Sequence, residues 1–374
     1  MIPNVYFQHL KEKIGQNVLP FFLKRKFNNY ALNNLSQTDK KYFDEINSII
    51  KNEKKLPFEF NSQELLYFSR NPEENWLQYL IFRYKFRTFP REKIVSEFPI
   101  YVLIEPISTC NLRCTMCFQV DKTFTKKPYM GLMDMNFYKK IIDECASNGT
   151  KAITFASRGE PTLHPKLGEM LDYAKNKFLE IKVNTNATRL TKELSEKILD
   201  AEVNEVTYSV DESIKENYEK LRVRSNFEQI LENIKRFQEI RDKKYPNSKT
   251  STRISGVLVE DYQDKERITK FWEQYVDHVV FVKCQNRWDT YNNEKDDTLS
   301  PCDYLWERMY VWFDGITNPC DVDYKSFLSQ GKLDYSKNSI KEIWSSERYN
   351  ELRSRHLNKE RNKINPCDRC GISF

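Results

Sequence analysis

Long apolar runs are missing from this 374-residue chain. No stretch approaches the roughly 18 uncharged apolar residues of a membrane-spanning helix, so a spanning protein is excluded. The one early apolar stretch, Val18 to Leu23, is short and runs straight into Lys24-Arg25-Lys26, so no secretory signal is expected. Glycine is scarce at nine residues, and only Gly15 falls in the first 96. In that segment Phe43, Ile46, Ile49 and Ile50, then Trp76, Tyr79, Leu80 and Tyr84, recur at helical spacing. No repeat or low-complexity linker occurs. An aromatic content of 14% excludes a disordered chain. The expectation is a folded cytoplasmic protein.

Charge of one sign is absent from most of the chain. Residues 1–96 hold 16 Lys/Arg against 10 Asp/Glu, which accounts for the whole net charge of +6, and the remainder balances at 44 against 44. A nucleic-acid face usually makes its domain net basic, so the balanced remainder argues against nucleic acid as a partner. The basic segment suits an acidic carrier or partner, an anionic substrate or a membrane surface, or is a solvated face.

What is present is cysteine, nine residues in all. An odd number in an unsecreted chain points away from a disulfide framework and toward metal binding or catalysis. Cys110, Cys114 and Cys117 form one group; Cys302, Cys320, Cys367 and Cys370 form another. Cys145 sits at core spacing from Ile141 and Ile142 and reads as packing.

From residue 100, short apolar runs alternate with amphipathic helices. Strands are expected at Tyr101–Glu105, Ala152–Ala156, Glu180–Asn184, Glu205–Val210, Arg253–Val259 and His278–Lys283. Helices are expected after an Asp134 cap and over Lys166–Lys177, Glu193–Leu199, Phe227–Ile240 and Lys265–Val276. Such alternation means βαβ units and a parallel sheet, either doubly wound or a whole or partial barrel. In the tail, Met309–Phe313 and Ile316–Asn318 flank Asp314-Gly315, a hairpin signal, and a helix is expected over Ser339–His356. The expected domains are a basic, aromatic-rich helical extension at 1–96, an α/β domain at 97–285 and a small cysteine-bearing domain at 286–374.

Cys110-Asn111-Leu112-Arg113-Cys114-Thr115-Met116-Cys117 follows the first strand directly. Three close thiolates suit zinc or an iron–sulfur cluster. A structural site would want a fourth protein ligand nearby, and neither His nor Cys occurs in the 27 residues after Cys117. A [4Fe–4S] cluster on three cysteines leaves one iron open to a small molecule. This spacing resembles the signature of the radical S-adenosylmethionine (SAM) enzymes. The resemblance implies a (β/α)6 partial TIM barrel, an α/β fold, over roughly 100–285. It implies that Cys110, Cys114 and Cys117 hold a SAM-binding cluster and that a 5′-deoxyadenosyl radical abstracts hydrogen from a substrate. It also implies a flavodoxin- or ferredoxin-type electron donor. Met116 would pack against adenine. Arg158-Gly159-Glu160-Pro161 resembles the family's Gly-Gly-Glu-Pro segment, with Arg158 in place of the first glycine, and Glu160 would hold the methionyl amine. Thr185-Asn186 resembles a recurrent Thr-Asn-Gly turn, with Ala187 third. Ser209 and Asp211 stand where related enzymes contact the SAM ribose and carboxylate. All lie at the carboxyl ends of expected strands, where such folds place function.

Cys302, Cys320, Cys367 and Cys370 resemble the start of the SPASM domain, which implies one auxiliary [4Fe–4S] cluster with four cysteine ligands. A four-cysteine zinc site is the structural alternative. With no open iron, such a cluster suits electron transfer, hence an oxidoreductase of dehydrogenase type. An epimerase would instead need a hydrogen donor, and Cys284, just past the sixth strand, is the candidate. The expected substrate is a small polar molecule such as a sugar or an aminocyclitol. The alternatives are a peptide-modifying maturase and a zinc-binding nucleic-acid or protein interaction module.

Overall fold

The computed structural model describes residues 35–52, 56–284 and 288–372. Gly15, Val18–Leu23, Lys24-Arg25-Lys26 and the expected boundary at 285/286 lie outside the described residues. The chain divides into two compact units, 1–94 and 95–374. No described helix is long and apolar enough to cross a membrane.

In the first unit the described residues form α1 (Gln37–Lys51), α2 (Ser62–Arg70) and α3 (Trp76–Glu92). Helix α2 starts in a capping box, where Asn61 accepts from the Glu64 amide and Glu64 reaches back to the Asn61 amide. The aromatic residues pack among themselves. Tyr67 stacks on Tyr79 with ring centroids 3.5 Å apart, and Phe68 meets Trp76 edge-on at 5.8 Å. Part of the basic charge is answered internally, because buried Glu64 pairs with both Arg83 and Arg87.

The second unit is built on one sheet. Its elements run β1 (Tyr101–Ile104), β2 (Arg113–Cys114), α4 (Met135–Ser147), β3 (Ala152–Phe155), α5 (Leu167–Ala174), β4 (Glu180–Thr185), α6 (Lys192–Asp200), β5 (Glu205–Ser209), α7 (Lys215–Leu221), β6 (Arg222–Val223), α8 (Phe227–Lys244), β7 (Ser251–Leu258), α9 (Lys265–Trp272), β8 (His278–Lys283), α10 (Tyr304–Glu307), β9 (Arg308–Val311), β10 (Ile316–Asn318), β11 (Gly331–Lys332), α11 (Ile340–Trp344) and α12 (Glu347–Leu357). The sheet order is β11-β10-β9-β1-β3-β4-β5-β7-β8. Every pairing from β9 across to β8 is parallel. The six expected strands therefore form one parallel set, the open (β/α)6 partial barrel.

The expected hairpin is present, since β9 and β10 pair antiparallel about Asp314-Gly315. Its first strand also joins the barrel edge, running parallel to β1 with Tyr101 opposite Arg308. The helix expected over Ser339–His356 is two helices. The break falls at Ser345-Ser346, where the Ser346 hydroxyl accepts from the Tyr349 amide and caps α12. The Asp134 cap forms as expected, accepting from the amides of Asn136 and Phe137.

Strand alternation separates the two faces of the sheet. Val102, Ile104, Ile153, Phe155, Ile181, Val183, Val206, Tyr208, Ile254, Met309 and Val311 point at the helices and are at most 2% exposed. Cys145 joins this core as packing. The opposite, inner face carries Lys182, Asn184, Ser209, Arg253 and Ser255, all only partly buried.

Candidate functional site

The cysteine loop leaves β1 and is held from several sides. Strands β2 and β6 pair antiparallel, setting Cys114 opposite Arg222 and Arg113 opposite Val223. The Thr115 amide donates to the Leu221 carbonyl at 2.9 Å, and the Cys117 amide to the Cys114 carbonyl at 3.0 Å. Gln119 donates through Nε2 to the carbonyls of Ser108 at 2.8 Å and Arg158 at 2.6 Å. Gly159 lies against the same loop. A Cβ there would come within 2.2 Å of the Ile107 carbonyl oxygen, so only glycine lets the β3 turn approach this closely.

Burial pushes the Cys110 thiol up to about 12, with Glu160, Cys114 and Cys117 adding negative charge against the Leu112 amide that donates to it. Cys114 is raised mainly by burial, opposed by Arg222. Arg222 reaches Cys114 Sγ at 3.8 Å. No disulfide forms among the nine cysteines. No three His, Cys, Asp or Glu side chains among the described residues close into a site for a single metal ion. Cys110 nonetheless feels the charge of both Cys114 and Cys117 in a largely buried loop. Such a soft donor set fits an iron–sulfur cluster, whose binding would displace their protons.

Glu160 sits at the centre of the neighbouring turn. Its Oε1 accepts from the Thr162 amide (3.1 Å), the Thr162 hydroxyl (2.6 Å) and the Thr185 hydroxyl (2.6 Å), while Oε2 accepts from the Asn186 amide (2.7 Å). Burial nevertheless pushes its carboxyl above the usual range. Pro161 is buried as the first residue of the short 3-10 turn Pro161–Leu163 that Glu160 caps. Asn186 donates through Nδ2 to Asn111 at 3.0 Å and toward Cys110 Sγ at 3.8 Å. Ala187 takes a left-handed φ of 60° and donates its amide to the Thr185 hydroxyl, so the turn keeps its glycine-like shape with an alanine. Glu160, Thr185 and Asn186 thus meet the cysteine loop as one network. Met116 is half-buried on that loop, next to Cys117 in sequence.

Asp211 follows β5 at its carboxyl end. It is fully buried, accepting from the Val257 amide at 2.9 Å and pairing with Arg222 Nε at 2.7 Å. Its carboxylate steadies the arginine that approaches Cys114. Ser209 is half-buried on the inner face of β5. Cys284 is half-buried just after β8, its amide donating to the Leu258 carbonyl at 2.8 Å, which places it at the carboxyl end of the edge strand.

Below the mouth, the inner face carries an ionic layer. Lys182 lies 3.3 Å from Glu180, and Arg253 lies 3.0 Å from Glu205 and donates to the Thr207 hydroxyl at 3.2 Å. Burial works against Lys182, but Glu180 and Glu205 push it above its ordinary value. Burial likewise opposes Glu205, but Lys182 and Arg253 hold it below the usual carboxylate range.

The four tail cysteines also converge. Burial pushes Cys302 up to about 11, with Cys370 adding charge against the Tyr304 amide and Arg361. Cys320 and Cys367 stand well above the ordinary thiol range, again through burial first, and each feels the other, Cys302 and Asp323. Buried Arg361 clamps the loop by donating to the carbonyls of Ser300, Cys370 and Ile372. Asn318 donates to the Cys320 carbonyl at 2.6 Å. Four thiols linked through one another's charge interactions fit a fully protein-ligated cluster. Sequence reasoning missed Asn111, Gln119, Arg222 and Arg361. None of the four carries a local sequence signal, since Arg222 itself stands between Lys220 and Arg224 in a charged stretch.

Residues 104–271 match the Radical SAM superfamily, and residues 302–371 match the SPASM iron–sulfur cluster-binding domain. The chain is 30% identical over 220 residues to the AdoMet-dependent heme synthase of Methanosarcina barkeri, a stretch that covers 59% of each protein. Its fold resembles that of SuiB from Streptococcus suis bound to the precursor peptide SuiA, with a TM-score of 0.58 and 14% identity over 89% of this chain and 88% of that one. It also resembles BtrN in complex with AdoMet and 2-DOIA, with a TM-score of 0.52 and 17% identity over 75% of this chain and 95% of that one.

The raised thiols make the apo chain's stability pH-dependent. Folded Cys110 keeps its proton up to about pH 12, whereas an unfolded thiol releases it near the ordinary value of 9.0. The folded state therefore binds more protons in that window. Its stability is full below about pH 9 and is lost as pH rises. The melting temperature of the apo chain should fall from about pH 8.5 to about pH 11, and less steeply in Cys110→Ala. Equal slopes in the two proteins would contradict this assignment.

Proposed function

Since the chain is a radical SAM protein with a C-terminal SPASM domain, we propose that it is a cytoplasmic enzyme that oxidises a small polar metabolite, such as a sugar or an aminocyclitol. These two domains bring S-adenosylmethionine and [4Fe–4S] clusters to the chain. When bound, they supply a 5′-deoxyadenosyl radical at Cys110, Cys114 and Cys117 and an electron acceptor at Cys302, Cys320, Cys367 and Cys370. A flavodoxin- or ferredoxin-type protein would be the electron donor.

The observation that carries the substrate reading is the inner face of the barrel. The helix-facing side chains are at most 2% exposed, while Lys182 and Arg253 each keep 22% of their side chains accessible above buried Glu180 and Glu205. Asn184 and Ser255 add an amide and a hydroxyl to the same face. A lysine, an arginine and two neutral polar groups suit a ligand rich in hydroxyl oxygens. A polar face left open in a sheet needs a polar occupant or water, because burying it unsatisfied is costly. At the mouth, Met116, Glu160, Thr185, Asn186 and Ser209 are the groups we assign to S-adenosylmethionine. Gly159 and Pro161 shape the turn that presents Glu160, and Asp211 acts through Arg222.

A second reading rests on Cys284. Its place at the carboxyl end of β8 suits a hydrogen donor in a redox-neutral epimerisation.

Two outcomes follow. Glu160→Gln should weaken S-adenosylmethionine binding by about tenfold, roughly the loss of one charge-assisted hydrogen bond, with iron content unchanged. Affinity equal to wild type would remove Glu160 from the binding site. With deuterated sugars and aminocyclitols as candidate substrates, deuterium should appear in 5′-deoxyadenosine. Cys320→Ala should then still cleave S-adenosylmethionine but lose oxidised product, and Cys284→Ala should turn over normally. Product with no net two-electron change, together with a stalled Cys284→Ala, would replace oxidation by epimerisation.

A further inference from the structure

Arg158 stands where the similar turn of the family has a glycine, and its side chain is 2% exposed. Its Nε donates to Glu105 Oε2 and its Nη2 to Glu105 Oε1, both at 2.6 Å, while Nη1 donates to the Tyr324 carbonyl at 3.0 Å. The guanidinium also lies 4.3 Å from the Trp312 ring centroid and 5.5 Å from that of Phe124. Glu105, the residue after β1, is fully buried and accepts a further bond from the Phe313 amide at 3.3 Å.

The partners of this pair belong to two different segments. Trp312, Phe313 and Tyr324 lie on the stretch around β10 that carries Cys320. Phe124 follows the loop that carries Cys117. The two stretches also touch directly. Phe118 stacks on Tyr324 with centroids 4.7 Å apart, and Asp121 Oδ2 accepts from the Tyr324 hydroxyl at 3.0 Å and pairs with Lys325 at 2.7 Å. Gly131 makes room for Phe313, since a Cβ there would come within 2.1 Å of the phenyl ring.

We propose that the Glu105–Arg158 pair is a positioning device that fixes the stretch 312–325 against the loop 117–125, and so holds the two thiol groups in one register. Arg158 acts through Glu105 and Tyr324. The inference goes beyond the proposed reaction and does not depend on the substrate or on oxidation. Only arginine meets its geometry, because one planar fork grips a carboxylate with two donors, reaches a carbonyl with a third and offers its face to aromatic rings. A lysine ammonium would satisfy the charge but not the fork.

Hydrogen exchange on the full chain tests this, with and without reconstituted clusters. In Arg158→Lys, amides of 312–325 and 117–125 should exchange about tenfold faster or more, while those of β4 and β5 keep wild-type rates, as expected for local opening. The double variant Glu105→Gln/Arg158→Gln removes the pair without leaving a buried unpaired charge, so it should fold and show the same local change. The reconstituted variants should also shift the midpoint potential of the C-terminal cluster. Wild-type exchange at 312–325 in the double variant, a uniform rise across 95–374, or a lysine variant indistinguishable from wild type would each overturn the proposal.

Discussion

A carboxylate and a guanidinium buried together cannot be parted without stranding a charge away from water, and removing one partner of such a pair costs about 3–5 kcal/mol. Glu105 and Arg158 form that pair at the carboxyl ends of β1 and β3. The cysteine loop begins a few residues after Glu105, and Glu160 lies two residues after Arg158. The C-terminal stretch gives its Phe313 amide and Tyr324 carbonyl to the same two side chains. One buried interaction therefore ties together the first thiol group, the turn that carries Glu160 and the segment that carries Cys320.

The sheet divides its labour by face. Its outer face is a conventional apolar core under helices, with alternate strand residues almost fully buried. Its inner face holds an ionic layer in which Glu180 and Glu205 raise Lys182 while Lys182 and Arg253 hold Glu205 below the usual carboxylate range. Such a layer adds little net stability by itself. Lys182 and Arg253 each keep 22% of their side chains accessible there. The parallel run from β9 to β8 brings the carboxyl ends of all these strands to one mouth, so the soft thiols above and the polar floor below address the same volume.

Much of this was legible in the sequence, and the rest was hidden for identifiable reasons. Six strands and their helices carry strong local periodicity, and caps such as Asp134 announce helix starts. The cysteine spacings stand out because thiols are rare outside such groups. Three features had no local signal. The β2–β6 ribbon is two residues long on each side, too short for any period. Helix α7 begins at Ile214 without a side-chain cap. Strand β9 pairs with β1 across two hundred residues, which no local pattern encodes. Two residues read differently once packed. Arg158 looked like a departure from a glycine motif but fills the mouth's buried ion pair. Asp211, expected at the ligand, also pairs with Arg222, which no local pattern encodes.

The proposed chemistry needs two separate thiol groups on one chain, each holding a [4Fe–4S] cluster. Iron, sulfide and zinc measured per chain after anaerobic reconstitution test it most directly, with the wild type beside a Cys110→Ala/Cys114→Ala/Cys117→Ala variant. The account predicts about eight irons in the wild type and about four in the variant, from four irons per cubane. Stoichiometric zinc with no iron, or a variant that loses all its iron while still folded, would contradict it.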